Sequence, residues 1–448
     1  MMCRLIPVIL VFWGLTTTAL AGDWPRFRGP NGSGISQDGV AVPTTWSPTE
    51  NVKWKTALPG AGFSSPIVVG DLVFVTCYSG YGVDRGNPGN IEDLNRHLVC
   101  LDRHSGSINW DRTVDAAQPE DPWSGSGVPS HGYASHTPIS DGERVYVFFG
   151  KTGALAFDLN GNQLWQKGVG IESDPHRWGS SSSPVLHGDT LIVTASAESQ
   201  AVVGLDAKTG EELWRQEASG LDNIWGTPLL VQVDDDRTDL VLGVPYEIWG
   251  FNPDNGKLRW YCQAMETDAF NSSVVASDGV VYAIEGRGGG SIAVRAGGKG
   301  DVTKSAIVWS GRDSSRFGTP VVYENRLYYF SNGIAYCIDA GSGDRVYRVR
   351  LTGESSSSQG SDESRERRRG GFGRGGGADY SSPVVADDKV YYVRGNGDVF
   401  VLGTGEEFQQ LAVNRMTDDS ESFAATPAIS NGQIFIRSSE HLYCIASE

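Results

Sequence analysis

The chain has 448 residues, 39% of them hydrophobic and 20% charged, with a formal net charge of −17. That is ample for a large core, and the acidic balance excludes a general nucleic-acid binder, because phosphate contacts need basic surface. The 58 glycines and 13 tryptophans point to many tight turns and many large aromatics, a mixture that suits sheets better than helices.

The chain opens MMCRLIPVILVFWGLTTTALAGDW. Arg4 precedes an apolar run from Leu5 to Leu15, and Ala19-Leu20-Ala21 forms a small-x-small cleavage signature. The pattern predicts a secretory signal peptide over residues 1–21, cleaved near Ala21, and so a secreted or periplasmic mature protein. No cysteine follows the cleavage point, so no lipid anchor is expected, and no later apolar run is long enough to span a bilayer. Residues 22–50, beginning DWPRFRGPNGSGIS after Gly22, are rich in turn formers. They predict an irregular strap laid over the following domain, with Trp24 and Phe27 docked.

Residues 51–448 are repetitive. A phrase of the form aromatic-x-[Ser/Thr]-Pro-apolar recurs eight times, anchored on Pro66, Pro138, Pro184, Pro228, Ser273, Pro320, Pro383 and Pro427. After each anchor come a short strand, a Gly/Asp turn, an apolar strand such as RVYVFF or KVYYV, a third strand such as LVCLD, and then a turn leading to a strand that carries Trp. Four strands per copy in eight copies predict an all-β, single eight-bladed propeller of four-stranded blades. The last copy stops after its third strand, HLYCIA, whereas NVKWKTAL around Trp54 precedes the first copy. Residues 51–57 are therefore expected to complete blade eight, closing the ring and removing its free edges.

In the third-to-fourth strand turns, Asp accepts turn amides and Gly supplies positive φ. The aromatic residues that follow, Trp54, Trp110, Trp165, Trp214, Trp260 and Tyr347, are expected to pack against the next blade as structural residues. Cys100, Cys337 and Cys444 occupy one repeat position and read as small buried strand residues; Cys77 and Cys100 lie on neighbouring strands, where a disulfide is open.

Three insertions, 80–95, 115–132 and 353–377, fall in connections that alternating strands place on one face, and the other face should keep short hairpins. Loops on a rigid scaffold are where binding resides. Candidate binding residues on this face are His131, Tyr133, His136, His176, Arg177, Trp178, Trp225, Phe270, Arg316, Phe317, Tyr380 and Phe423. The low-complexity stretch 354–377, with its Arg run, predicts a disordered loop. Asp234, Asp236 and Asp239 are weak calcium candidates whose spacing does not match the twelve-residue calcium loop; they read first as a solvated turn.

The unit [Ala/Leu]-x-Asp-x-x-[Thr/Ser]-Gly-x-x-x-Trp, fully developed in LDAKTGEELW at 205–214, resembles the PQQ-like β-propeller repeat across nearly all of 46–448. The opening DWPRFRGPNGSG is similar to the mature N-terminus of secreted bacterial propellers of this type. The resemblance implies either of two functions: a quinoprotein alcohol dehydrogenase, or a cofactor-free propeller like the outer-membrane β-barrel assembly lipoprotein. The first would need PQQ with calcium, a stacking partner and an Asp base, and that branch adds adjacent cysteines, which this sequence lacks; it also has no haem-attachment motif. The expected function is thus a non-catalytic secreted or periplasmic scaffold with no cofactor, binding a protein or polysaccharide of the cell envelope through the decorated face. A PQQ-dependent oxidoreductase and a carbohydrate-binding propeller are the alternatives.

Overall fold

A computed structural model describes residues 22–84, 86–125, 127–286, 288–353 and 379–447. The predicted signal peptide and the predicted loop at 354–377 lie outside the described residues. Eight antiparallel sheets follow one another in chain order, each with its first strand buried at the axis and its fourth at the half-exposed rim. In the eighth, the strand order is Val52–Ala57, His441–Ile445, Gln433–Arg437, Ala428–Ser430, with Trp54 opposite Cys444. The ring closes as expected.

The [Ser/Thr] of each repeat explains how the inner strands are held. The backbone N–H of Ser65 donates to the hydroxyl of Thr137 in the next blade at 2.9 Å. The same bond continues from Thr137 to Ser183 (3.0 Å), Ser183 to Thr227 (3.0 Å) and Thr227 to Ser273 (2.9 Å). It passes on from Ser273 to Thr319 (2.9 Å), Thr319 to Ser382 (3.0 Å) and Ser382 to Thr426 (3.0 Å), and Thr426 returns to Ser65 at 3.1 Å. Eight hydrogen bonds form a closed cycle. The cycle corrects the fifth repeat: Ser273 occupies the Ser/Thr position, so Val274, not Ser273, stands where the other copies have proline.

At the rim, aromatic side chains join successive blades. The indole N–H groups of Trp54, Trp110, Trp165 and Trp309 donate to the carbonyls of Arg103, Leu159, Ala207 and Ala340, all in the following blade, at 2.8–3.0 Å. The turn glycine of that blade lies beneath the ring. At Gly210 (φ +75), a Cβ would come within 2.7 Å of Trp165. The sequence reading missed Trp309, because blade five reaches it through a longer connection, 296–306. That connection holds a two-residue strand and the short helix Thr303–Ala306, so the face expected to keep short hairpins carries an insertion too. Its Gly300–Asp301 strand pairs in parallel with blade four at Trp260.

Opposite each rim aromatic, on the third strand, stands a small residue: Cys100, Ala156, Gly204, Gly250, Ala293, Cys337 and Cys444 face Trp110, Trp165, Trp214, Trp260, Trp309, Tyr347 and Trp54. Blade seven lacks the aromatic and reverses the sizes, with Val401 opposite Ala412. The third-strand cysteines are therefore explained by volume. All five described cysteines are free. Cys77 pairs across from His97 and Cys100 across from Phe74, so the register keeps them apart and the open disulfide does not form.

Asp239 is not a solvated turn residue. It is fully buried, bridges Arg237 (2.9 Å) and Arg259 (2.6 Å), and accepts the Trp260 indole N–H at 2.7 Å. Asp234 instead accepts the amide of Asp236 at 3.0 Å, so the three carboxylates do not converge on a calcium ion.

Residues 22–50 enter the axial channel rather than only crossing it. Trp24 is fully buried and bridges Val68 on the inner strand of blade one, and Ile35 bridges Val385 in blade seven; Phe27 is only half-buried. Trp46 joins the apolar cluster of blades seven, eight and one, with its amide on the Asn414 side chain at 3.0 Å. Thr137→Val should strand the buried Ser65 amide at little change of shape. The expected loss is about 1–3 kcal/mol in urea unfolding, with a negligible loss for the exposed Thr209→Val.

Candidate functional site

The decorated face is built first by the insertions themselves. Segments 80–94 and 116–138, the latter carrying the short helix Val128–His131, pack on each other through a small core of Tyr78, Tyr81, Leu94, Val128, Tyr133 and Ala134. Tyr133 contacts Tyr78, Tyr81 and Trp123 at 5.4, 5.9 and 6.1 Å between centroids, and its hydroxyl donates to the Asp121 carbonyl at 2.7 Å. Tyr133 was expected to bind a ligand; its burial makes it a packing residue. Arg96 lies over its ring at 5.4 Å and is ion-paired with Glu120.

Beneath this core runs a polar layer of buried Asp121, Lys151, His136, Ser180 and Glu198, edged by the exposed Ser173; of these only His136 was a candidate in the sequence. Lys151 pairs with Asp121 at 3.3 Å, and Ser173 links them, accepting from Lys151 at 2.8 Å and donating to Asp121 at 2.6 Å. Beside it, the Ser180 hydroxyl donates to Glu198 and meets His136 Nε2 at 3.1 Å. This is not a nucleophilic triad. The carboxylate contacts the serine directly, no third group orients the imidazole, and His136 Nδ1 and Glu198 Oε2 have no partner among the described residues. Burial holds His136 well below its usual pKa, so it is neutral. Burial pushes Glu198 up to about 7, against the bond from Ser180. The available signal was SAES at 196–199, a short helix between the second and third strands of blade three.

Above this layer the loop 174–179 presents an aromatic. Asp174 accepts the amides of His176 (2.9 Å), Trp178 (2.8 Å) and Gly179 (3.0 Å), which shapes the turn that holds Arg177 at φ +53. His131 Nε2 meets the Trp178 carbonyl at 2.6 Å; because that carbonyl can only accept, Nε2 carries the proton. His131 therefore positions Trp178, and burial lowers its pKa. His176 stacks on Trp178 at 4.8 Å, and Trp225 lies 5.3 Å from Trp178, with its own N–H spent on the Gly179 carbonyl at 2.8 Å. A second aromatic pair stands at blades six and seven. Phe317 stacks on Tyr380 at 4.3 Å, and the exposed Arg316 lies over Phe317 at 5.0 Å.

The twelve candidates thus separate, with the half-buried His131 already placed beneath Trp178. His176, Arg177 and Arg316 are exposed, and Trp178, Trp225, Phe317 and Tyr380 are half-buried, so two aromatic patches with cationic or imidazole flanks remain accessible. His136, Phe270 and Phe423 are buried with Tyr133. Phe270 and Phe423 pack in the apolar cores of the blades, Tyr133 in the insertion core, and His136 against Ser180 and Phe148, so their burial keeps all four from the accessible surface.

These features define a closed eight-bladed propeller with one decorated face. The family model described as outer membrane protein assembly factor BamB matches residues 35–170, 91–224 and 161–399, and the chain belongs to this family of PQQ-like propellers. Among solved structures it is similar to BamB from Moraxella catarrhalis at 11% identity and a TM-score of 0.56, covering 88% of this chain and 99% of that one. It is similar to a europium-containing methanol dehydrogenase at 11% identity and a TM-score of 0.61, covering 95% and 98%. The quinohemoprotein alcohol dehydrogenase of Comamonas testosteroni is matched at 10% identity and a TM-score of 0.52, covering 94% and 80%. At these identities the likeness establishes the fold. No curated protein matches in sequence, and no described helix is long and apolar enough to cross a membrane.

PQQ with calcium would need free oxygen donors gathered beside a stacking ring. Among the described residues, no group of three or more His, Cys, Asp or Glu is placed to hold a metal ion. Buried carboxylates of blades five to seven are already bonded: Asp313 by Tyr329 and Arg345, Asp398 by Arg415, and Glu285 by the amides of Asn271, Ser272 and Gly286. That donor set does not match the cofactor's needs.

Glu198 binds its proton more tightly in the folded chain than in the unfolded one, where a glutamate titrates near 4.5. Its contribution to stability is therefore full below about pH 4.5 and is lost as pH rises through about 7. Glu198→Gln should gain roughly 1–3 kcal/mol at pH 8 and little at pH 4.5. Urea midpoints at the two pH values measure the difference; equal gains at both would contradict the shift.

Proposed function

We propose that this protein is a non-catalytic binding scaffold of the bacterial cell envelope, secreted or periplasmic after cleavage near Ala21, that holds a protein or polysaccharide partner on its decorated face. The observation that carries the reading is the pair of half-exposed aromatic patches, Trp178–Trp225 with His176 and Arg177, and Phe317–Tyr380 with Arg316. Each is braced from below, Trp178 by Asp174 and His131 and Phe317 by its stack on Tyr380. Rigid aromatics beside arginine supply most of the energy in binding surfaces, since they bury large area with few rotamers to freeze. The family match to an outer membrane assembly factor supports a protein partner, and the aromatic faces would serve a sugar polymer equally well.

Cross-linking in the native envelope, comparing wild type with a Trp178→Ala/Phe317→Ala pair and with the rim control Leu213→Ala, tests the reading. The expected outcome is one reproducible cross-linked species, reduced at least tenfold in the pair and unchanged in the control. Titration with PQQ and calcium, read by absorbance and dye-coupled alcohol oxidation, tests the dehydrogenase alternative. Stoichiometric quinone uptake with turnover would replace the scaffold reading.

A further inference from the structure

The strap carries two arginines in DWPRFRGP whose charges nothing in the described protein balances. Arg26 is 6% exposed and its side chain has no hydrogen bond or ion pair among the described residues, with its Nε buried and unpartnered. Arg28 is 1% exposed. Its guanidinium donates to the carbonyls of Thr319, Pro320, Pro383 and Ser33 at 2.7–3.4 Å, which spends hydrogens but neutralises no charge. Burial lowers both, Arg26 to about 10 and Arg28 to about 9, and no opposing charge raises either. A guanidinium does not shed its proton to escape burial, and a buried charge left unpaired is strongly destabilising.

Both arginines line the same void of about 10 Å³, together with Thr227, Ser273 and Gly32 and with the apolar Phe27, Pro228, Leu229 and Val274. Thr227 and Ser273 are members of the hydroxyl cycle. There each hydroxyl accepts a backbone N–H, from Ser183 and Thr227 respectively. A hydroxyl that accepts still owns a hydrogen to donate, and neither hydrogen has an acceptor among the described residues. The wall therefore brings two arginine residues and two hydroxyl residues to one space of about the size of a water.

We propose that Arg26, Arg28, Thr227 and Ser273 bind one small monovalent anion of halide size in the axial channel. The small volume of the void suits a halide better than sulfate or a carboxylate ligand. The anion joins the strap to blades four and five, which supply the hydroxyls, while Arg28 reaches the carbonyls of blades six and seven. It neutralises the charge that the strap carries into the ring.

Crystals of the full chain grown with bromide in place of chloride test this directly. An anomalous peak in the void, within hydrogen-bonding reach of Arg26, is expected. Thermal unfolding at constant ionic strength provides the second arm, with chloride exchanged for gluconate. Wild type should lose roughly 2 °C in Tm on the exchange, and Arg26→Met should lose nothing. Should Arg26→Met not fold, Arg26→Gln and the wild-type bromide peak stand in for it. A water in place of the anomalous peak overturns the proposal, as does a Tm that depends on chloride equally in wild type and variant.

Discussion

The closed cycle of eight Ser/Thr hydroxyls, from Ser65 round to Thr426 and back, is the constraint on which the rest depends. Each blade gives one N–H to its neighbour and takes one from the other side. No blade can shift radially without stranding a buried donor. This separates two roles within the Ser/Thr-Pro phrase. Val274 replaces the proline of the fifth copy without loss, because proline only stiffens the entry to the inner strand. Ser273 cannot be replaced in that way, since it must both give and accept.

The rim is governed by volume instead. A large aromatic on the fourth strand faces a small residue on the third, and under Trp54, Trp110, Trp165, Trp214 and Trp309 lies a glycine of the next blade's turn. Blade seven obeys the same rule from the other side, with Val401 opposite Ala412. The buried Trp46 joins the apolar cluster there. The axis thus ties neighbouring blades by hydrogen bonding, and the rim joins them by packing.

Repeat period, blade count and closure were legible in the sequence because each is written eight times or at both ends of the array. What was illegible occurs once. Trp309 hid behind a connection of atypical length. Asp239 looked like a solvated turn because its partners, Arg259 and Trp260, lie on another strand of the same sheet. Tyr133 was a binding candidate because strand alternation assigns a face but not a depth, and the depth came from two insertions that bury each other. Glu198 and Arg26 gave no pattern at all. Their significance lies in neighbours far away along the chain.

The strand Val52–Ala57 pairs with His441–Ile445, so blade eight unites the two ends of the repeat array. The strap that precedes this strand crosses the axis and meets blades one, four, six and seven on its way. Such a fold concentrates its longest-range contacts in one sheet, and long-range contacts are slow to form. During synthesis blades one to seven can assemble in order, while the early strand and the strap must wait for the last strands to emerge. Until then the unpaired edges of blade eight are open to other chains. A propeller closed in this way is committed late, and its most exposed moment comes just before it becomes a ring.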